Sequence, residues 1–382
     1  MNNPYTNRGT IKNPLEFYGR EREIRRIFSR ISSSHPQCIS IIGERKIGKS
    51  SLLYFLNHED TRKKWLKNPE SYVFLLIDLQ ERTEDLSFSS FFQFIFRSLT
   101  DQLGTDVVPS SALDSIGNQS ESYEVFKNIV SNIGKSGFKL IILFDEFGAI
   151  TSSERFDPTF FSYLRSIANN YECAYITTSR LKLQNLCRST DISESPFFNI
   201  FAPVPLGQFS LDEARSLIFT PLKQSGVEFN EHEANFILSI AGCYPLFIQM
   251  ACSAMFDHKI RDGGISHEVD FDAVTADFLM EASGQFDVIW SEMDEGRQKV
   301  LCKVALSDKV EVSEQYLVRD LQRSGYLMEN PVAPFSQAFR DFLLAKQIND
   351  VSLKAVNQIA GDSKKRASFS SRIKDIFKRG QR

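Results

Sequence analysis

The sequence predicts an α/β fold, a parallel sheet with helices on both faces, followed by two mostly helical domains. Three observations carry this expectation. Four apolar or β-branched runs ("CISII" at 38–42, "VFLLIDLQ" at 73–80, "KLIILF" at 139–144 and "AYITTSR" at 174–180) are parted by long stretches of helical spacing, the alternation that builds a doubly wound parallel sheet. The first three are continuous rather than alternating, as strands covered on both faces are. Beyond residue 207 the strand-like runs give way to helix start signals. The expected limits are an α/β domain at 14–207, a helical lid at 208–290, a third module at 291–346 and a basic tail at 347–382.

The first run leads into "GERKIGKSS", which fits GxxxxGK(S/T) at Gly43, Gly48, Lys49 and Ser50, and "SSLLYFL" then takes up helical spacing. A chain of this length meets that pattern by chance about once in a hundred, so a strand, a tight loop and a helix start in the required order point to a phosphate loop. Backbone N–H groups from Gly43, Glu44, Arg45, Lys46, Ile47, Gly48, Lys49, Ser50 and Ser51, with the positive end of the helix, suit a nucleotide's phosphates. Lys49 is expected on the β- and γ-phosphates and the Ser50 hydroxyl on Mg²⁺.

The 73–80 run is a second buried strand, with Asp78 fixing its end. The 139–144 run closes on Asp145 and Glu146, at the carboxyl end of a strand where ligands bind in such sheets. Asp145 is expected near Mg²⁺ and Glu146 against the attacking water. The fourth run ends in Thr177, Thr178, Ser179 and Arg180; a hydroxyl there is placed to meet the γ-phosphate or the water, and Arg180 to sense the γ-phosphate's charge. Residues 107–123, "VVPSSALDSIGNQSESY", read as a polar loop.

These motifs, together with "FYGRERE" at 17–23, "VPLGQFSLDEA" and "AGCYPLFIQMA", resemble the STAND-class P-loop ATPases, often called archaeal-type or AAA-like, relatives of the origin-recognition AAA+ proteins. The resemblance runs over about residues 14–345. It implies ATP as ligand, Tyr18, Gly19 and Arg20 beside the adenine or its entrance, and Pro245 capping the base. It also implies that the strand ending in Arg180 lies between the phosphate-loop strand and the Asp145 strand. Adenine rests on the resemblance, since the Asn/Thr-Lys-x-Asp guanine reader is not found.

Ser210 with Glu213, and Asn230 with Glu233, form capping boxes before helical runs, Gly242 offers a stop, and Pro245 suits a first helical turn. "EGRQKVLCKVAL" and "SEQYLVRDLQRSGYLMENPVAPFSQAFRDFLLAK" follow as helix, helix, hairpin and helix, an order that resembles a winged helix. Its candidate recognition helix brings only Arg319 and Arg323, with Asp320 between them, where base-reading helices bring more donors. From 362 to 382 eight Lys/Arg stand against two Asp, a segment open to solvated disorder, nucleic acid, an anionic membrane surface or a protein partner.

Composition narrows the classes. The chain has 382 residues, 42% hydrophobic and 24% charged, and a formal charge of −3, which excludes a general polyanion binder. Six scattered cysteines without a CxxC pair argue against a zinc site and a disulfide framework, and the five histidines show no ligand spacing. No run approaches the ~20 apolar residues of a membrane span, and "MNNPYTNRGTIKNP" lacks the apolar core of a signal peptide. A cytoplasmic protein is expected. The function expected is an ATP-binding and ATP-hydrolysing switch that engages a protein partner or assembles with itself; the alternative is an ATP-regulated DNA-binding protein using the winged helix.

Overall fold

The computed structural model describes residues 2–79, 86–105, 107–109, 112–261, 264–265 and 268–347. The basic tail expected from the sequence lies, beyond Gln347, outside these residues. The described chain divides into two compact units, one of residues 1–235 and 243–269, the other of 236–242 and 270 onward.

The first unit holds a parallel five-stranded sheet. Its strands are β1 (Ile39–Ile42), β2 (Tyr72–Asp78), β3 (Lys139–Asp145), β4 (Cys173–Ser179) and β5 (Ala202–Pro205), in the order β2-β3-β4-β1-β5. The four expected strands are present, and the strand ending before Arg180 does lie between β3 and β1. Burial is nearly continuous along β3 and complete along β4, because helices cover both faces of the sheet. The helix Lys49–Asn57 packs on β2 and β3, Phe88–Leu103 on β2, Gln119–Lys135 on β3, and Pro158–Asn170 on β4. Between them Phe91, Phe92, Phe96, Phe126, Phe144 and Phe160 are fully buried. Phe91 meets Phe160 edge to face at 5.1 Å, the arrangement that ring quadrupoles favour.

Two local expectations change. The 107–123 stretch is a polar loop only in part, since Asn118 caps a helix that begins at Gln119 by accepting from the Ser120 and Glu121 N–H groups. The fifth strand was not expected, because two prolines break its sequence. Ala202 and Leu206 donate to Cys38 and Ile42, so the nitrogens of Pro203 and Pro205 fall on the open edge, where a missing N–H costs no ladder bond.

The same unit carries the helices Leu211–Phe219 and Pro245–Lys259. The Ser210/Glu213 capping box is closed in both directions. The second unit contains the helices Phe271–Ser291, Glu295–Leu306 and Gln315–Arg323, an antiparallel bridge between Leu327 and Pro334, and a helix at 337–347. In it Phe286, Phe335, Phe339 and Leu343 are buried, and Arg297 donates to Asp320.

Candidate nucleotide site

Parallel register brings the ends of β1, β3 and β4 level. Ile42 stands beside Ser179, and Phe144 beside Thr177, so the residues that follow, Gly43, Asp145 and Arg180, gather at one edge of the sheet. Gly43 leaves β1 donating to the Ser179 carbonyl at 3.1 Å. A Cβ at Gly43 would lie 2.9 Å from both the Ile47 side chain and the Leu206 carbonyl, so only glycine fits there. Two further turns are left-handed: Lys46 at φ 61° and Gly48 at φ 100°. Gly48 then caps the helix Lys49–Asn57. A loop of this shape turns its N–H groups inward.

Lys49 is buried, 5% exposed, and its Nζ donates to the Gly43 and Glu44 carbonyls at 3.0 and 3.2 Å. Its Nζ is also 3.5 Å from Glu146 Oε1. Glu146 has φ 53°, a left-handed turn that costs a non-glycine residue about 1–3 kcal/mol and persists where the surroundings enforce it. Thr178 supplies that enforcement: its hydroxyl accepts from the Glu146 N–H at 2.8 Å and donates to Asp145 Oδ1 at 2.5 Å. Thr178 is fully buried. It therefore aims the acidic pair rather than meeting a γ-phosphate, and neither neighbour offers a free hydroxyl: Thr177 bonds the Ile39 carbonyl and Ser179 that of Leu181. Arg180 points its Nε at Glu44 Oε2, 3.0 Å away.

One cavity of about 420 Å³ is lined by Arg45, Lys46, Ile47, Gly48, Lys49, Ser50, Ser51, Glu146 and Arg180 at one end, and by Tyr18, Arg20, Pro245, Leu246 and Gln249 elsewhere in its wall. Of the residues expected at a ligand, Gly43, Glu44, Asp145 and Gly19 stand outside that lining. A Cβ at Gly19 would lie 3.1 Å from the Glu213 side chain and 3.2 Å from that of Phe209. Arg20 reaches the wall but is 3% exposed, and its Nη2 donates to the Ile47 and Gly207 carbonyls at 3.2 and 2.7 Å. Its guanidinium lies over Phe209, and burial lowers its pKa from the ordinary value. Arg20 thus ties the phosphate loop to the segment after β5. Burial also raises the pKa of the Tyr18 hydroxyl, with Glu16 adding to the shift.

Two contributors escaped the sequence reading. Residues 2–13 are tied to several helices: Asn3 bonds Ser253 and Asp257 of the helix Pro245–Lys259, and the buried Tyr5 donates to the Ile218 carbonyl of the helix Leu211–Phe219. The segment then lines the cavity with Arg8, Gly9, Thr10 and Ile11, and the Ile11 N–H donates to Ser51 at 3.0 Å. Tyr244, just before Pro245, donates to the Arg45 carbonyl at 3.0 Å. The tyrosine inside "AGCYP" was the visible signal, since a phenol this deep in a protein needs a partner.

Ser50 and Asp145 offer a hydroxyl and a carboxylate, hard oxygen donors of the kind Mg²⁺ takes alongside a substrate's phosphates. Thr178 occupies one oxygen of Asp145 and fixes its orientation, so the donor set fits the ion. Among the described residues no cluster of three or more His, Cys, Asp or Glu forms a metal site by itself.

The family model described as Novel STAND NTPase 2 matches residues 33–310. The chain belongs to that family. The fold of this STAND NTPase is similar to that of a Walker-type ATPase of Pyrococcus abyssi, with 16% identity, coverage of 89% of this chain and 99% of the other, and a TM-score of 0.61. It is similar also to the Aeropyrum pernix ORC2 protein solved with ADPNP and ADP, with 13% identity, coverage of 92% and 98%, and a TM-score of 0.58. At these identities the likeness is one of fold. No curated protein matches the sequence. Among the described residues no helix is long and apolar enough to cross a membrane.

Proposed function

We propose that this STAND NTPase is an ATP-binding and ATP-hydrolysing switch whose nucleotide state controls its lid and C-terminal module and, through them, engagement of a protein partner. The observation that carries the reading is the convergence of Lys49, Glu146 and Arg180 on one cavity, beside a loop with left-handed turns at Lys46 and Gly48. The phosphates take the loop end, and the base takes the wall built by Tyr18, Pro245 and residues 8–11.

Loop N–H groups and the start of the helix Lys49–Asn57 bind the phosphates. Lys49 neutralises the β- and γ-phosphates. Glu146 accepts the proton of the water that attacks the γ-phosphorus as the bond from that phosphorus to the β-γ bridging oxygen breaks and ADP leaves, and Arg180 offers a charge-assisted bond that strengthens as charge develops on the γ-phosphate. Ser50 and Asp145 would hold Mg²⁺, which would supply further neutralisation of phosphate charge. Thr178 keeps Asp145 and Glu146 in register throughout.

In this reading residues 208–290 serve as the lid and 291–346 as a winged helix that meets protein. Val312 and Tyr316 are 90% and 68% exposed there, and the helix Gln315–Arg323 shows only Arg319 and Arg323 as exposed cations. A surface that reads DNA carries more phosphate contacts than that. Calorimetric titration with ATP and magnesium, beside a phosphate-release assay, tests the function. The parental protein is expected to bind and to release phosphate, and Lys49→Ala to lose both affinity and turnover, because Lys49 serves ground and transition states alike. A parental protein that binds no nucleotide would end the reading.

A further inference from the structure

Glu44 is the one acidic side chain in the phosphate loop 43–51. A carboxylate in a loop that cradles phosphates repels the ligand, unless a cation neutralises it. Here the cation is Arg180, whose Nε stands 3.0 Å from Glu44 Oε2, with the carboxylate side chain 4% exposed and the guanidinium side chain 27% exposed. Arg180 lines the cavity beside Lys49 and Glu146, whereas Glu44 does not and stands behind it. The guanidinium is a rigid planar fork, so a bond at Nε fixes where its other donors face.

We propose that Glu44 is a positioning residue: it holds Arg180 in the cavity wall so that the guanidinium meets a terminal phosphate, and through Arg180 it sets the preference for a nucleoside triphosphate over the diphosphate. The proposal rests on the reading of Arg180 as the γ-phosphate sensor. Arg180 meets that phosphate without leaving Glu44. Departure would strand a buried carboxylate, unpaired, beside a polyphosphate, and a buried charge stripped of its partner is strongly unfavourable. The pair is thus retained in both nucleotide states, and only the triphosphate reaches the guanidinium.

The test is the ratio of affinities for the β,γ-imido analogue of ATP and for ADP, measured by calorimetry with magnesium. Arg180→Ala is expected to lower the ratio about tenfold or more, the worth of one charge-assisted bond. Glu44→Gln keeps shape and an acceptor oxygen but not the charge. It is expected to lower the ratio at least about threefold while ADP affinity does not fall, an outcome that a merely disturbed loop would not give. Glu44→Asp, which restores the carboxylate, should recover part of the ratio. The double variant Glu44→Gln/Arg180→Ala should match Arg180→Ala alone, since Glu44 acts through Arg180. A parental ratio in Glu44→Gln, or a double variant whose loss is the product of the two single losses, overturns the positioning role and leaves the sensor reading standing. An unchanged ratio in Arg180→Ala overturns the sensor reading and the proposal together.

Discussion

Arg20 commits its guanidinium to the Ile47 and Gly207 carbonyls, and its own N–H to Glu213. Such a residue holds the site's walls together more than it reads a base. Arg20→Ala is expected to destabilise the protein by about 2–4 kcal/mol, because one buried and one half-buried acceptor lose a charged donor. The midpoint of urea unfolding reads this directly. A loss of nucleotide affinity with an unmoved midpoint would instead make Arg20 a ligand contact. The sequence made Lys49, Ser50, Glu146 and Arg180 legible, since each closes a motif whose spacing has a physical reason. It could not show Glu44 facing Arg180 across 136 positions, nor that Thr178 turns its hydroxyl onto Asp145 and Glu146. Periodicity reports which face a residue takes, and partners brought together by the sheet leave no local trace.

At the scale of elements, β1 to β3 were legible because buried parallel strands read as nearly continuous apolar runs, and β4 as a run rich in β-branched residues. β5 was not, because Pro203 and Pro205 argue against a strand unless its edge position is known. The segment 2–13 has no period, so its docking was invisible. Tyr5 is its anchor, buried and stacked toward Phe229 at 6.1 Å between ring centroids. Tyr5→Ala removes a buried aromatic and is expected to cost about 3–5 kcal/mol, as such truncations do. It should also weaken nucleotide binding, because Arg8 to Ile11 would lose the hold that sets them in the cavity wall. Unfolding and titration on one preparation check both. Full nucleotide affinity in Tyr5→Ala would remove the segment from the site.

For the whole molecule, the distribution of charge bears on the proposed choice of a protein partner over DNA. The formal charge is −3, and the eight cations of 362–382 are the densest basic stretch. DNA binding is therefore expected to be weak, nearly blind to sequence and steeply weakened by salt, and to vanish when 362–382 is removed. Fluorescence anisotropy with duplexes of differing sequence measures it. A sequence-selective complex that survives the deletion at physiological salt would make the C-terminal module a DNA reader.

The central claim is that one cavity binds a nucleotide and hydrolyses it, with Lys49 holding phosphates and Glu146 meeting the water. Glu146→Gln separates the two roles most directly, since the amide keeps the side chain's shape and removes its capacity to take a proton. Paired calorimetric titration and phosphate release on this variant and its parent is the measurement. The account predicts MgATP binding near the parental affinity with phosphate release lowered by about a hundredfold or more. Phosphate release at the parental rate, with binding intact, would contradict it.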